Sequence, residues 1–288
     1  QPYRDAGRFT DDAIRFIRDN REHPFFLYLP FVAVHGPHIV PAEDQARWRE
    51  KLNGRDVGIH PDMLASLEFV DRSVGRVLDA LDELGLTDNT MVLLASDNGG
   101  LSKSVYSADN HPFRQGKGTL YEGGVRVPLF MRWPAGIPAG ARVTTPVGHV
   151  DIFSTVAAAA GRPVPSDRVI DGVNLLPFAR SERSGEAHQS LYWRTDDYRV
   201  LRARDWKLQV TERPRKDWLY NLATDPGERR NLAAEEPARL AAMKAALADI
   251  DRQQAKPLWR TLGAGPIPLD KMLRDPQSPD DEYVYFAN

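Results

Sequence analysis

"LEFVDRSVGRVLDALDELGLTDNTMVLLASDNGG" occupies residues 67–100 and decides the fold class. Leu67, Val70, Val74, Val77, Leu78 and Leu81 recur at helical spacing, and Gly85 follows as a residue able to adopt the left-handed conformation that ends a helix. The spacing predicts a helix from Asp62 to Leu84. Thr90 to Ala95 is then a short apolar run without alternation, which suits a strand buried on both faces. The run ends at Ser96-Asp97-Asn98-Gly99-Gly100, a strand entering a turn.

Upstream, Phe25 to Val34 is a second apolar run, rich in aromatic and β-branched residues, with Pro30 as a local obstacle. Strand, long helix and strand make a βαβ unit, so the sheet is expected to be parallel and the class α/β. Thr10-Asp11-Asp12 ahead of Ala13 to Ile17 reads as a helix start, with Thr10 as N-cap. Val125 to Met131 is a further strand candidate, and Val150 to Ala160 a helix closed by Gly161.

After about Gly185 the pattern changes to short alternating runs: Ser190–Arg194, Tyr198–Ala203, Trp206–Thr211 and Trp218–Tyr220. These predict a small antiparallel sheet with Trp193, Trp206 and Trp218 in its core, and Pro237 to Ile250 as a helix packed on it. From Lys256 onward the chain is rich in Pro and Asp and reads as irregular. The expected divisions are 1–184, the α/β part; 185–255, the small α+β subdomain; and 256–288, the tail.

The bulk numbers exclude several classes. A chain of 288 residues can bury a substantial core. The net charge of −2 and pI near 6.4 give no argument for a nucleic-acid or membrane-surface partner. Mean hydropathy is −0.47, and no apolar run approaches the roughly 18 residues of a spanning helix. With 0 cysteines, the chain offers no disulfide, thiolate metal site or cysteine nucleophile.

Ligands of parallel α/β sheets bind beyond the carboxyl ends of the strands. Two polar clusters fall there: His35-Gly36-Pro37-His38 after Val34, and Asp97-Asn98 after Ser96. Asp97 and Asn98 suit a tight turn, and equally a hard cation such as Ca²⁺ or Mg²⁺, which takes carboxylate and carboxamide oxygens. The loop Pro112–Gly124 contains Gly116-Lys117-Gly118-Thr119, which is not a phosphate-binding loop, because Gly follows the lysine and a strand candidate follows the loop. Its flanking glycines allow close backbone approach, and Lys117 suits a point contact to an anionic oxygen.

"PFFLYLPFVAVHGPHIVP", "EFVDRSVGRVLDALDELGLTDNTMVLLASDNGG", "PFRQGKGTLYEGGVRVPLFMRWP" and "VGHVDIFSTVAAAAG" follow one another in this chain. That order resembles type I sulfatases, the arylsulfatase-like branch of the alkaline phosphatase superfamily. The stretches "LYWR", "YRVLRARDWKLQV" and "WLYNLATDPGERRNLA" look like that family's C-terminal subdomain. The resemblance implies a partial alkaline-phosphatase-like α/β sandwich with the small C-terminal sheet and helix. It implies that Asp97 and Asn98 are late ligands of a Ca²⁺ (or Mg²⁺), that His35 contacts the sulfate ester and assists the leaving group, and that Lys117 binds a sulfate oxygen and helps protonate the leaving alkoxide. His38, His111 and Arg114 are expected to face substrate. His149 and Asp151 read as a helix cap and its neighbour.

The family's nucleophile is a formylglycine made from the Cys or Ser of a Cys/Ser-x-Pro-x-Arg motif, and its early Asp-Asp metal pair lies in the same region. Neither is present; Pro163-Val164-Pro165-Ser166-Asp167 and Asp11-Asp12 do not stand in for them. The chain is therefore expected to be the C-terminal part of a sulfatase, with the formylglycine segment elsewhere. The implied substrate is a sulfated small molecule or carbohydrate, and the implied location periplasmic or secreted. A phosphodiester or phosphonate monoester hydrolase of the same superfamily, or an inactive anion-binding chain, is the competing expectation.

Overall fold

A computed structural model describes residues 2–55, 57–101, 110–256, 258, 264–271, 276 and 278–287. The chain folds into two units. One holds Gln1–Leu93 with Met131–Ala139; the other holds Asn110–Phe130 and Gly140–Asn288 with the segment that starts at Leu94.

In the first unit, α1 (Pro2–Asp19) and α2 (Ala42–Leu52) pack against α3 (Pro61–Glu83). Ala13, Ile17, Ala65 and Leu81 are buried, and Arg76 bonds Asp11 at 2.6 Å across α1 and α3. Arg47 and Trp48 of α2 both reach Glu68 of α3, at 2.6 and 2.7 Å. The α3 C-terminus closes as the sequence predicts: Gly85 sits at φ +67 and its N–H returns to the Asp82 carbonyl at 3.1 Å. α1 departs from expectation. It runs through Thr10, which is fully buried inside the helix and so is not its N-cap.

The larger correction concerns Phe25 to Val34. This segment forms no strand. Its burial nevertheless alternates from Phe25 to Ala33, with Phe26, Tyr28 and Val32 exposed at 70%, 76% and 49% between buried or half-buried neighbours. Residue composition gives a segment its strand tendency, but a ladder needs a second backbone. Among the described residues no strand pairs with it, so the expected βαβ unit lacks its first strand. β1 (Val92–Ala95) forms where predicted and pairs with β2 (Leu129–Arg132), the short helix α4 (Glu122–Val125) lying between them in the chain.

In the second unit, α5 (Asp151–Ala159) and the short α6 (Leu176–Ala179) precede a four-stranded sheet of β3 (Leu191–Thr195), β4 (Tyr198–Ala203), β5 (Trp206–Glu212) and β6 (Arg215–Asn221). The strands are antiparallel in chain order, with Leu201 opposite Leu208 and Leu208 opposite Leu219. Period-two alternation sends side chains to two faces. Leu201, Leu208, Val210 and Leu219 pack on Met243 and Leu247 of α7 (Pro237–Gln253). Tyr198, Val200, Trp218 and Tyr220 form the opposite core with Tyr121, Leu269 and Val284. The tail expected to be irregular supplies part of that core. β7 (Ala264–Pro268) and β8 (Tyr283–Ala287) pair antiparallel, Ile267 opposite Val284. A Pro- and Asp-rich composition hid them, since the proline at Pro268 ends its strand and the partner lies beyond an Asp-rich stretch of sequence.

Candidate active site

The turn after β1 is built by its own side chains. Ser96 Oγ donates to the Asn98 carbonyl at 3.0 Å, and the Asn98 N–H donates to Asp97 Oδ1 at 2.9 Å. Asn98 Nδ2 donates to the Gly99 carbonyl at 2.9 Å. That bond fixes the carboxamide and leaves its oxygen as the acceptor. Asp97 is exposed and Asn98 half-buried. His149 Nε2 donates to the Ser96 carbonyl at 2.8 Å, so it steadies the backbone at the base of the turn.

This turn and the lysine loop are one platform. Gly99 N–H donates to the Gly124 carbonyl at 2.9 Å, and the Lys117 N–H to the Gly100 carbonyl at 3.1 Å. Asn110 stitches both segments: its carboxamide receives the Gly100 N–H at 3.0 Å and donates to the Gly100 and Gln115 carbonyls at 2.8 and 3.0 Å. The backbones touch so closely that a methyl on Gly99 would stand 1.7 Å from the Gly123 carbonyl oxygen. One on Gly124 would stand 2.1 Å from that of Thr119. Gly118 adopts φ +87, which carries the chain round immediately after Lys117. The Lys117 side chain is exposed on this rigid base.

The platform fits a hard cation in kind. It presents a carboxylate and a carboxamide oxygen and no sulfur. It is also incomplete: among the described residues no group of three or more His, Asp, Glu or Cys side chains is placed to share an ion.

His35 and His38 lie in the other unit. His35 is exposed, in a turn where its N–H returns to the Val32 carbonyl at 2.9 Å and its Nδ1 donates to the Gly36 carbonyl at 2.7 Å. That bond fixes the tautomer and leaves Nε2 outward. His38 is half-buried. Burial lowers its pKa, Asp62 opposes that, and His60 and His35 add to it. His60 and Asp62 were not legible from sequence as neighbours of this turn; His60 caps α3, accepting the Asp62 N–H at 3.2 Å.

Of the expected substrate-facing residues, His111 is exposed in the loop. Arg114 is only 6% exposed, and its guanidinium is engaged within the chain. Nε meets Asp270 Oδ1 at 3.0 Å, Nη1 the Glu228 carbonyl at 2.9 Å, and Nη2 Asp270 and Glu282. Such an arginine anchors the β7–β8 segment to the lysine loop.

A family model for Sulfatase matches residues 2–162, more than half the chain, and one for the C-terminal region of N-sulphoglucosamine sulphohydrolase matches residues 113–254. The chain belongs to the sulfatase family. It is similar to the steryl-sulfatase of Mus musculus, with 38% identity over 205 residues, covering 69% of this chain and 31% of that protein. A crystal structure of Ps i-CgsB superposes with TM-score 0.78 at 30% identity, over 88% of this chain and 56% of that one. The structure of BT4656 in complex with its substrate D-glucosamine-2-N,6-O-disulfate superposes with TM-score 0.55 at 25% identity, over 67% of this chain and 40% of that one. The fold is thus that of the sulfatases, a mixed α/β architecture of the alkaline phosphatase superfamily. The chain spans less than half the length of the curated relatives it matches.

Proposed function

We propose that this chain forms part of a hydrolase of sulfate monoesters, with Lys117 and His35 acting on the ester and Asp97 and Asn98 holding a divalent cation, Ca²⁺ or Mg²⁺. The observation that carries the reading is the platform itself. The segment that carries two metal-type side chains and the segment that carries the lysine are held together by backbone hydrogen bonds from Gly99 and Lys117. A sulfate ester builds negative charge on the leaving oxygen as its S–O bond breaks, and preorganised cations are what lower that barrier. A bound cation would supply Lewis acidity. Lys117 would pair with a sulfate oxygen and help protonate the leaving oxygen, and His35, with Nε2 free of its own turn, would contact the ester and assist the leaving group. His38 and His111 would contact the alcohol portion of the substrate. The 288 residues hold no Cys/Ser-x-Pro-x-Arg motif, so in this reading the formylglycine lies outside them.

The substrate class proposed is a sulfated carbohydrate or small molecule. The sulfated sugar bound by BT4656 supports the former, and the similarity to steryl-sulfatase keeps the latter open. A periplasmic or secreted location belongs to the same reading. Among the described residues no helix is long and apolar enough to cross a membrane.

The test starts from the protein in its native source, by denatured mass, N-terminal sequence and side-by-side rates on an aryl sulfate and an aryl phosphonate. The expected result is a mass well above 32.4 kDa, an upstream Cys/Ser-x-Pro-x-Arg motif and a strong preference for sulfate. In that protein Lys117→Met should lower kcat by about a hundredfold, the scale of removing one preorganised donor. Preference for phosphonate would shift the reading to the sister activity. A mass of 32.4 kDa with no companion polypeptide and no turnover would sink it.

A further inference from the structure

The face of the C-terminal sheet opposite α7 combines the aromatic and aliphatic side chains of β4 and β6 with a fully buried polar row on β5, Lys207, Gln209 and Thr211. Lys207 of β5 is 0% exposed, and so is Glu228; Glu122, at the start of α4, is 1% exposed. Lys207 Nζ stands 3.0 Å from Glu122 Oε1 and 3.0 Å from Glu228 Oε1. The remaining lone pairs are also satisfied. The Glu122 N–H donates to Glu228 Oε2 at 2.6 Å, Gln209 Nε2 to Glu228 Oε1 at 2.9 Å, and Arg202 reaches Glu122 Oε2 at 3.2 Å. Tyr198 closes the set by donating to Gln209.

Apolar side chains of similar volume often serve a core as well as or better than a buried ion pair, so a complete network invites a reason other than stability. Its geometry supplies one. Glu122 lies five residues beyond Lys117, in a segment whose backbone is clamped to the Asp97-Asn98 turn through Gly124 and Gly99. Glu228 is held from behind: its carbonyl takes Arg114, and the Gly123 N–H bonds the Arg114 carbonyl at 3.0 Å. The loop can therefore shift only if a buried carboxylate leaves a buried ammonium.

We infer that the Glu122–Lys207–Glu228 cluster is a positioning device, by which the C-terminal sheet sets the height and orientation of the Lys117 loop against the cation-type turn. The catalytic part of this inference rests on the function proposed above; the mechanical part does not. None of the three touches substrate. Each acts through the loop.

Two near-isosteric variants, Glu228→Gln and Glu122→Gln, in the full protein separate the possibilities, and the second serves if the first does not fold. Two readouts are taken together: amide hydrogen exchange by mass spectrometry, and kcat and KM on an aryl sulfate. The expected result is exchange at least tenfold faster at residues 116–124 with β4 and β5 unchanged, and a kcat tenfold or more lower with KM within twofold. Exchange that rises equally in β4 and β5, or not at all, overturns the inference whatever the activity. Selective loosening with kcat unchanged overturns it too. Selective loosening in a protein whose unsubstituted form hydrolyses no sulfate ester upholds the positioning and removes the proposed function instead.

Discussion

Gly99 lacks a side chain, and the structure leaves no room for one. A methyl there would meet the Gly123 carbonyl oxygen at 1.7 Å, and that oxygen belongs to a backbone held from both sides. Gly99→Ala should push the turn off the lysine loop. The expected cost is about 1–3 kcal/mol, the range for forced overpacking, read as a lower urea midpoint. Proton exchange at the Lys117 amide should rise with it. A second residue-scale prediction concerns His38. Its pKa is lowered in the fold by burial, against Asp62 and with His60 and His35, from the ordinary 6.5. The unfolded chain therefore takes up this proton first as pH falls. Its contribution to stability is complete above pH 6.5 and is lost progressively below it, down to the folded value. Urea midpoints of the unsubstituted protein and of His38→Gln should converge toward pH 5 and stand apart above pH 7, with the steeper acid loss in the unsubstituted protein. Parallel profiles would show that His38 is not the group responsible.

Among the elements, α7 depends on two anchors. Leu247, only 4% exposed, fills the core with Leu208 and Leu219. Asp251 receives Tyr192 at 2.5 Å and Arg194 at 3.2 Å. Leu247→Ala should cost about 2–5 kcal/mol, the range for an emptied core position. Calorimetry or urea unfolding would check it, and a loss under 1 kcal/mol would mean that α7 does not share this core. α7, α3, α5 and the four strands β3–β6 were all legible in the sequence, because their signals are local: periodicity, capping glycines and turns between short alternating runs. Phe25–Val34 was not, since its pairing depends on a backbone elsewhere and its composition cannot say whether one is present. β7 and β8 were hidden for the opposite reason: a poor strand composition is overridden by pairing and by burial of Leu269 and Val284. The turn and lysine motifs could be read as candidates. The ionic cluster beneath them could not, because Glu122 finds Lys207 85 positions away and Glu228 106 away, and neither partner stands out in its own strand or turn.

At the scale of the whole molecule, the residues proposed for chemistry are divided. The histidine turn belongs to one unit, and the cation-type turn with Lys117 belongs to the other. Each is complete as local structure and incomplete as a reaction centre. Asp97 and Asn98 offer about two or three oxygens to an ion that takes six to eight. One carboxylate and one carboxamide leave most of the coordination to water, whose release no longer drives binding. The 288-residue chain should therefore bind Ca²⁺ more weakly than micromolar in titration calorimetry, and Asp97→Ala should change the isotherm little. Micromolar or tighter binding that disappears in Asp97→Ala would mean that the chain completes the cation site by itself. The further ligands would then have to be sought within its own residues, and the proposal that the rest of the active site comes from outside them would lose its physical basis.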